Sequence, residues 1–378
     1  MQLLASIRSR FVKRSVPIEA LRILAMFGIV YFHAFDWTYW GGVAFNAKYQ
    51  AFMQASMVFG QLGNWLFLCI GCYFMTKLDF TSIKKTVLKI WRPTLFYSVT
   101  IFLFAALILK ITPITLITVL QSVFPIVFSN YWFITSYITL ILLAPLLSKM
   151  LSHLNKKQFK YLLAVGFFFL VIFNINPLFE TYNEVRAVIP MFLYAFMVMF
   201  YVRKYKPKVA NWKLVAIILG YFALDLALSC LYAKFGGIEI TKIAPIHEAT
   251  NVVTTVWNYA YVSELLVPVP AIAALLFVLN ITGRQSKQAP KKSIFGVGVN
   301  IVASSMLGVY LIHANLNILG YIYNDIFNVA QYYGTRFGYL YPFIVAVTIL
   351  VACVLIDITR RVFAYWFKIL VGRYRCTR

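Results

Sequence analysis

Ten runs of apolar residues, each close to the ~20 that a helix needs to cross about 30 Å of hydrocarbon, dictate what this chain can become. They cover residues 18–38, 53–76, 94–112, 131–149, 161–176, 187–202, 214–233, 258–280, 299–322 and 339–359, the fifth and sixth being short. Within a bilayer every backbone N–H and C=O must be satisfied by the protein itself, so runs of this kind fold as helices. Hydrophobic residues make up 62% of the sequence, charged residues 12%, and the mean hydropathy is +0.80. That composition excludes a string of soluble domains. It predicts an all-α, polytopic transmembrane helix bundle of about ten spans.

A net charge of +24 would point to nucleic acid in a soluble protein, but here the placement of the charge decides. Of the 35 lysines and arginines, only Lys48, Lys110, Arg186, Lys234, Lys242 and Arg336 fall on the side opposite the N-terminus. The alternation holds at every loop, so both termini are expected in the cytoplasm and no nucleic acid partner is implied. Residues 1–16 read as a basic cytoplasmic arm on the inner leaflet, where membrane lipids supply about 1 kcal/mol per lysine or arginine. No small-residue cleavage site follows the first apolar run, so that segment is expected to be retained. Residues 17–366 form the transmembrane domain and 367–378 a basic cytoplasmic tail. The sequence Gly283 to Ser293, GRQSKQAPKKS, reads as a flexible connection between spans. External residues 113–130 carry no charge, which suits a re-entrant or buried course.

The first span is the one that carries chemistry. In PIEALRILAMFGIVYFHAFDW, residues 17–37, four ionisable groups interrupt the apolar run. At the helical advance of ~100° per residue, with Arg22 at zero, Glu19 falls near about +60°, His33 near about +20° and Asp36 near about −40°. All four share one face. Burying such groups in a bilayer costs about 2.5–3.5 kcal/mol each near the helix centre, so they are expected to face the bundle interior.

His33 and His313 are expected at one depth in the outer half, which suggests a common pocket. A neutral imidazole there can accept a proton from an alcohol, and Asp36 can fix its tautomer or simply sit at the interface. His313 stays open between a site role and a polar helix contact, because Tyr310, Asn317, Gly320 and Asn324 share its face on a continuous helix. Tyr310 and Asn317 are accordingly candidate substrate contacts. Arg22 either pairs with Glu19 at i and i+3 or offers its bidentate donors to a phosphate. Tyr131 and Trp132, at the outer end of the fourth span, fit an aromatic belt or a sugar-stacking platform. Asp357 is expected to pair with Arg360 or Arg361.

Cys69 and Cys72 have CxxC spacing, yet no second ligand pair follows and both lie in an apolar helix. Packing is the expected role, with no disulfide and no metal site. Pro93 is expected at the start of its helix. Loop residues Glu180, Glu184, Arg186, Glu239, Lys242, His247 and Glu248 read chiefly as solvated charges.

Four stretches together resemble acyltransferase family 3, whose mark is an arginine, ten residues and a histidine. IEALRILAMFGIVYFHAF carries Arg22 and His33 at that spacing, and GNWLFLCIGCYF is similar to the second-span motif, with Gly71-Cys72 where the family usually has Ser-Gly. SNYWFITSYITLILLAPLL resembles the Trp-Phe entry to a later span. SSMLGVYLIHAN is similar to the late Tyr-Leu-Ile-His motif, with Ala314 where many relatives have aspartate. The order matches over residues 16–360, and the resemblance implies the Gram-positive type, expected without an appended extracellular domain.

The resemblance implies a membrane-bound O-acyltransferase using acetyl-CoA or another acyl-CoA as donor. Its acceptor would be a hydroxyl on a cell-surface polysaccharide or a lipid-linked glycan precursor, in a bacterial plasma membrane and alongside glycan-assembly machinery. His33 would be the base, and Arg22 with Glu19 would lie at the coenzyme A phosphates. The acyl group can pass directly or through a relay. A polysaccharide exporter of the same family is the rival reading. Pro268 and Pro270 are the pair that suggests a broken transport helix, and no counterpart half accompanies them.

Overall fold

The computed structural model describes residues 15–41, 43, 46–169, 184–235, 266–285 and 293–376. Within them every regular element is helical. The helices are α1 (Val16–Asp36), α2 (Ala47–Met75), α3 (Ile83–Leu103), α4 (Leu116–Val123), α5 (Trp132–Ser152) and α6 (Lys156–Phe167). There follow α7 (Glu184–Tyr205), α8 (Asn211–Phe235), α9 (Pro268–Gln285), α10 (Ile294–Ala303), α11 (Met306–His313) and α12 (Tyr341–Cys376).

Eight segments among the described residues are long and apolar enough to cross a membrane. The chain is a multi-pass helical bundle. The other two expected spans, 161–176 and 258–280, run into residues outside the described set. So do the N-terminal arm to residue 14, the heart of the 283–293 connection, and the loop charges other than Glu184 and Arg186, which fall at the start of α7.

α1 is the hub. Proline at its start supplies a pre-set φ, and the helix packs against α2, α9, α10, α11 and α12. In α1, 61% of the spanning window is buried, against 22% in α8 at the bundle's edge. This inverts a soluble amphipathic helix. Leu24, opposite Arg22, is 64% exposed toward lipid, while Glu19 is buried.

α1 and α2 approach closely because small residues line the seam. A Cβ on Gly28 would strike the Phe59 carbonyl oxygen, and one on Gly63 would strike that of Ala25. Tight van der Waals contact of this kind replaces the hydrophobic effect as the force between helices in lipid.

Two expectations, for Pro93 and for the ninth span, give way to the structure. Pro93 lies inside α3, because the helix begins ten residues earlier among the lysines of the interface. The chargeless segment 113–130 is exposed or half-buried along most of its length, with Ser122 buried. It holds α4, closed by a Thr115–Thr118 capping box, with Leu116 77% exposed. The ninth span is not one continuous helix: it breaks between Ala303 and Met306, ends at His313, and resumes as a π-helix over Tyr321–Ile326. The last helix also runs through most of the expected tail, to Cys376.

Candidate functional site

The two intramembrane histidines meet. His33 on α1 and His313 at the C-terminal end of α11 have ring centroids 5.2 Å apart at 43°. Tyr323 in the π-helix closes a third side, its ring 6.4 Å from His33 at 79°. Tyr310, one turn before His313, stands 6.3 Å from it.

The polar atoms of this group are poorly satisfied. His313 is fully buried, and its Nδ1 lies 2.6 Å from the Val309 carbonyl oxygen. A carbonyl only accepts, so Nδ1 carries the proton and Nε2 presents a lone pair. That Nε2 has no hydrogen-bond partner among the described residues, and the same holds for Nδ1 of His33 and the hydroxyl of Tyr323. Each buried, unpaired polar group costs about 1–3 kcal/mol. Three such groups from three elements, with the His313 and Tyr323 rings 5.2 and 6.4 Å from that of His33, make this the candidate site for something polar.

The other residues fall into place around it. Asp36 does not bond to Nδ1 of His33, so the expected tautomer-fixing contact is not made there. Its carboxylate acts instead within electrostatic reach of Tyr323. Arg22 lies about three turns away along α1, where its Nη1 donates to Glu19 Oε2 at 2.6 Å. The expected pair therefore forms. The Arg22 side chain is 20% exposed, and Tyr137 of α5 lies within its electrostatic reach.

Tyr131 is 2% exposed, too buried to serve as a platform or a belt residue. Its hydroxyl donates to the Leu311 carbonyl at 3.1 Å and accepts from Asn315 Nδ2 at 2.6 Å, tying α5 to the chain around His313. Its ring stands 6.0 Å from that of Tyr310. Trp132, half-buried at the start of α5, packs against Phe133.

Asn317 leaves the His313 face because α11 ends at that histidine, and its side chain donates to Asn315 Oδ1 at 3.1 Å. Gly320 and Asn324 leave that face for the same reason. Asn324 turns back to accept from the Tyr39 N–H at 2.6 Å. Cys69 and Cys72 are both fully buried in α2, in the packing role expected. The sequence did not single out Tyr323. On a continuous helix it would sit about −80° from His313, and only the break and the π-helix bring it round.

A family model described as an acyltransferase domain matches residues 17–357. The chain belongs to acyltransferase family 3. The match takes in both histidines, Arg22, Tyr131 and the π-helix, so the site lies wholly within the family domain of this membrane acyltransferase. No curated protein and no solved structure matches the chain.

Proposed function

We propose that this membrane acyltransferase is an O-acetyltransferase of a bacterial plasma membrane. It moves an acetyl group from acetyl-CoA to a hydroxyl of a cell-surface polysaccharide or its lipid-linked precursor. The observation that carries the reading is the pairing of His33 with His313 beside the Tyr323 hydroxyl, with three polar atoms left for a ligand.

In this mechanism the acceptor O–H donates to an unpaired nitrogen of His33. As the proton leaves, the oxygen attacks the thioester carbonyl, the carbon–sulfur bond breaks, and the departing thiolate takes the proton back from the imidazolium. The Tyr323 hydroxyl is the donor for the carbonyl oxygen as it gains negative charge. His313 Nε2 can only accept in this tautomer, so it orients the acceptor sugar by a second hydroxyl.

Arg22 suits the donor's phosphates. Glu19 fixes the guanidinium in place, and the remaining N–H groups can reach a phosphate oxygen. Along α1, about 16 Å separates Arg22 from His33, the kind of distance that an extended acyl-CoA arm spans between phosphate and thioester.

The test is the O-acetyl content of envelope glycans in cells carrying the wild-type gene, His33→Ala or no gene. Loss of acetylation in both altered strains is the expected result. Undiminished acetylation with His33→Ala overturns the mechanism. Normal acetylation with surface glycan missing from the null strain turns the reading to export.

A further inference from the structure

A second site lies at the end of the bundle that the charge asymmetry assigns to the cytoplasm. There α3 and α12 part to leave a groove of 1210 Å³. From α3 it is lined by Lys84, Lys85, Lys89 and Arg92, and by Phe96 one turn deeper. From α12 it is lined by Arg360, Phe363, Trp366 and Phe367, with Ala364 leaving space between them. No carboxylate is among the lining residues. Behind it, Tyr97 donates to Asp357 at 2.9 Å, and Arg360 donates to Tyr97 at 3.1 Å and pairs with Asp357 at 2.8 Å.

Two stripes face each other across this space. Lys85, Lys89 and Arg92 follow the i, i+4, i+7 spacing of one helix face, and like charges so placed repel unless an anion lies between them. None of the three has an ion-pair or hydrogen-bond partner among the described residues. Opposite them, Arg360, Phe363 and Phe367 repeat at i, i+3 and i+7. Phe363 is 70% exposed, Phe367 68% and Trp366 54%, so the apolar wall opens sideways toward acyl chains instead of into the protein.

From the cationic stripe and the lipid-facing aromatic wall, we propose that the groove binds a phosphate-headed lipid of the inner leaflet. The phosphate sits among Lys85, Lys89 and Arg92, and the chains run inward past Phe367 and Phe363 toward Phe96. Soluble phosphates, such as those of coenzyme A, would satisfy the cations and leave the aromatic wall without a partner. Charge complementarity and the sideways opening together select the lipid. The site is separate from the histidine pair and independent of the reading given to it.

Tryptophan quenching tests this on the full chain in phosphatidylcholine nanodiscs. Phosphatidylglycerol with brominated acyl chains is titrated in, and the Trp366 signal is taken as the difference between wild type and Trp366→Phe. The expected result is saturable quenching by phosphatidylglycerol, well beyond that by brominated phosphatidylcholine. Replacing Lys85, Lys89 and Arg92 with glutamine should weaken it about a hundredfold. The same charge loss at Lys156, Lys157 and Lys160, outside the groove, should leave it unchanged. Equal quenching by the two lipids overturns the site, and so does displacement of phosphatidylglycerol by coenzyme A. Trp366→Phe alters only an exposed ring, so the comparison of the two lipids stands even if the triple variant does not fold.

Discussion

Two of the polar clusters buried among the described residues are built on opposite principles. At the end of the bundle that the charge asymmetry assigns to the cytoplasm, Asp357 is 2% exposed and saturated. It binds Arg360 at 2.8 Å and Arg361 at 3.0 Å and accepts from Tyr97, while Arg361 donates to Ser304 and Ser305 at 2.5 Å each. Farther along the bundle, His33, His313 and Tyr323 stand together with polar atoms unpaired. A network whose members all find partners holds helices in register: this one joins α3, α12 and the break between α10 and α11. A cluster left unpaired holds nothing and costs stability, and its groups remain available to a substrate.

The contrast can be broken by exchanging stability against activity. Asp357→Leu leaves two guanidinium groups without their anion, and the expected cost is about 3–5 kcal/mol of stability, seen as a large fall in the thermal unfolding midpoint in detergent. His33→Ala should do the reverse. Acetyl transfer in membranes falls by about a thousandfold while the unfolding midpoint holds or rises. If His33→Ala destabilises as much as Asp357→Leu, the two clusters are alike and the distinction is lost.

Tyr323→Phe sharpens the contrast at a single atom. It removes one unpaired hydroxyl, so about a hundredfold loss of transfer is expected with stability unchanged. A stability loss without an activity loss would make Tyr323 a packing residue. Smallest of the four, Gly63→Val drives a side chain into the α1–α2 seam and is expected to cost about 1–3 kcal/mol through packing alone. It should lower folded yield while the surviving protein keeps its specific activity.

Much of this arrangement is legible in the order of the residues. A polar face on an apolar helix has only one tolerable orientation in lipid, and α1 adopts it, with Glu19 and His33 inward and Leu24 outward. The depth argument that paired His33 with His313 rests on helix rise alone, and the rings do meet. Periodicity failed where the helix failed. It carried Asn317, Gly320 and Asn324 onto the His313 face, although the chain breaks at that residue. It also passed over Tyr323, which reaches the site through the π-helix. Tyr131 misled for another reason: an aromatic at a span's outer end fits a belt, and only packing against α11 shows that its hydroxyl is committed inside.

The sequence by itself determined that the chain spans a membrane many times as helices, and which helix carries its ionisable groups. Lipid imposes those outcomes on any such chain, because backbone groups and charges have nowhere else to be satisfied. Only the tertiary structure decided which buried polar groups are paired and which remain open. Pairing depends on contacts between segments hundreds of residues apart, such as Tyr97 with Asp357 or Tyr39 with Asn324, and no local rule of spacing encodes them.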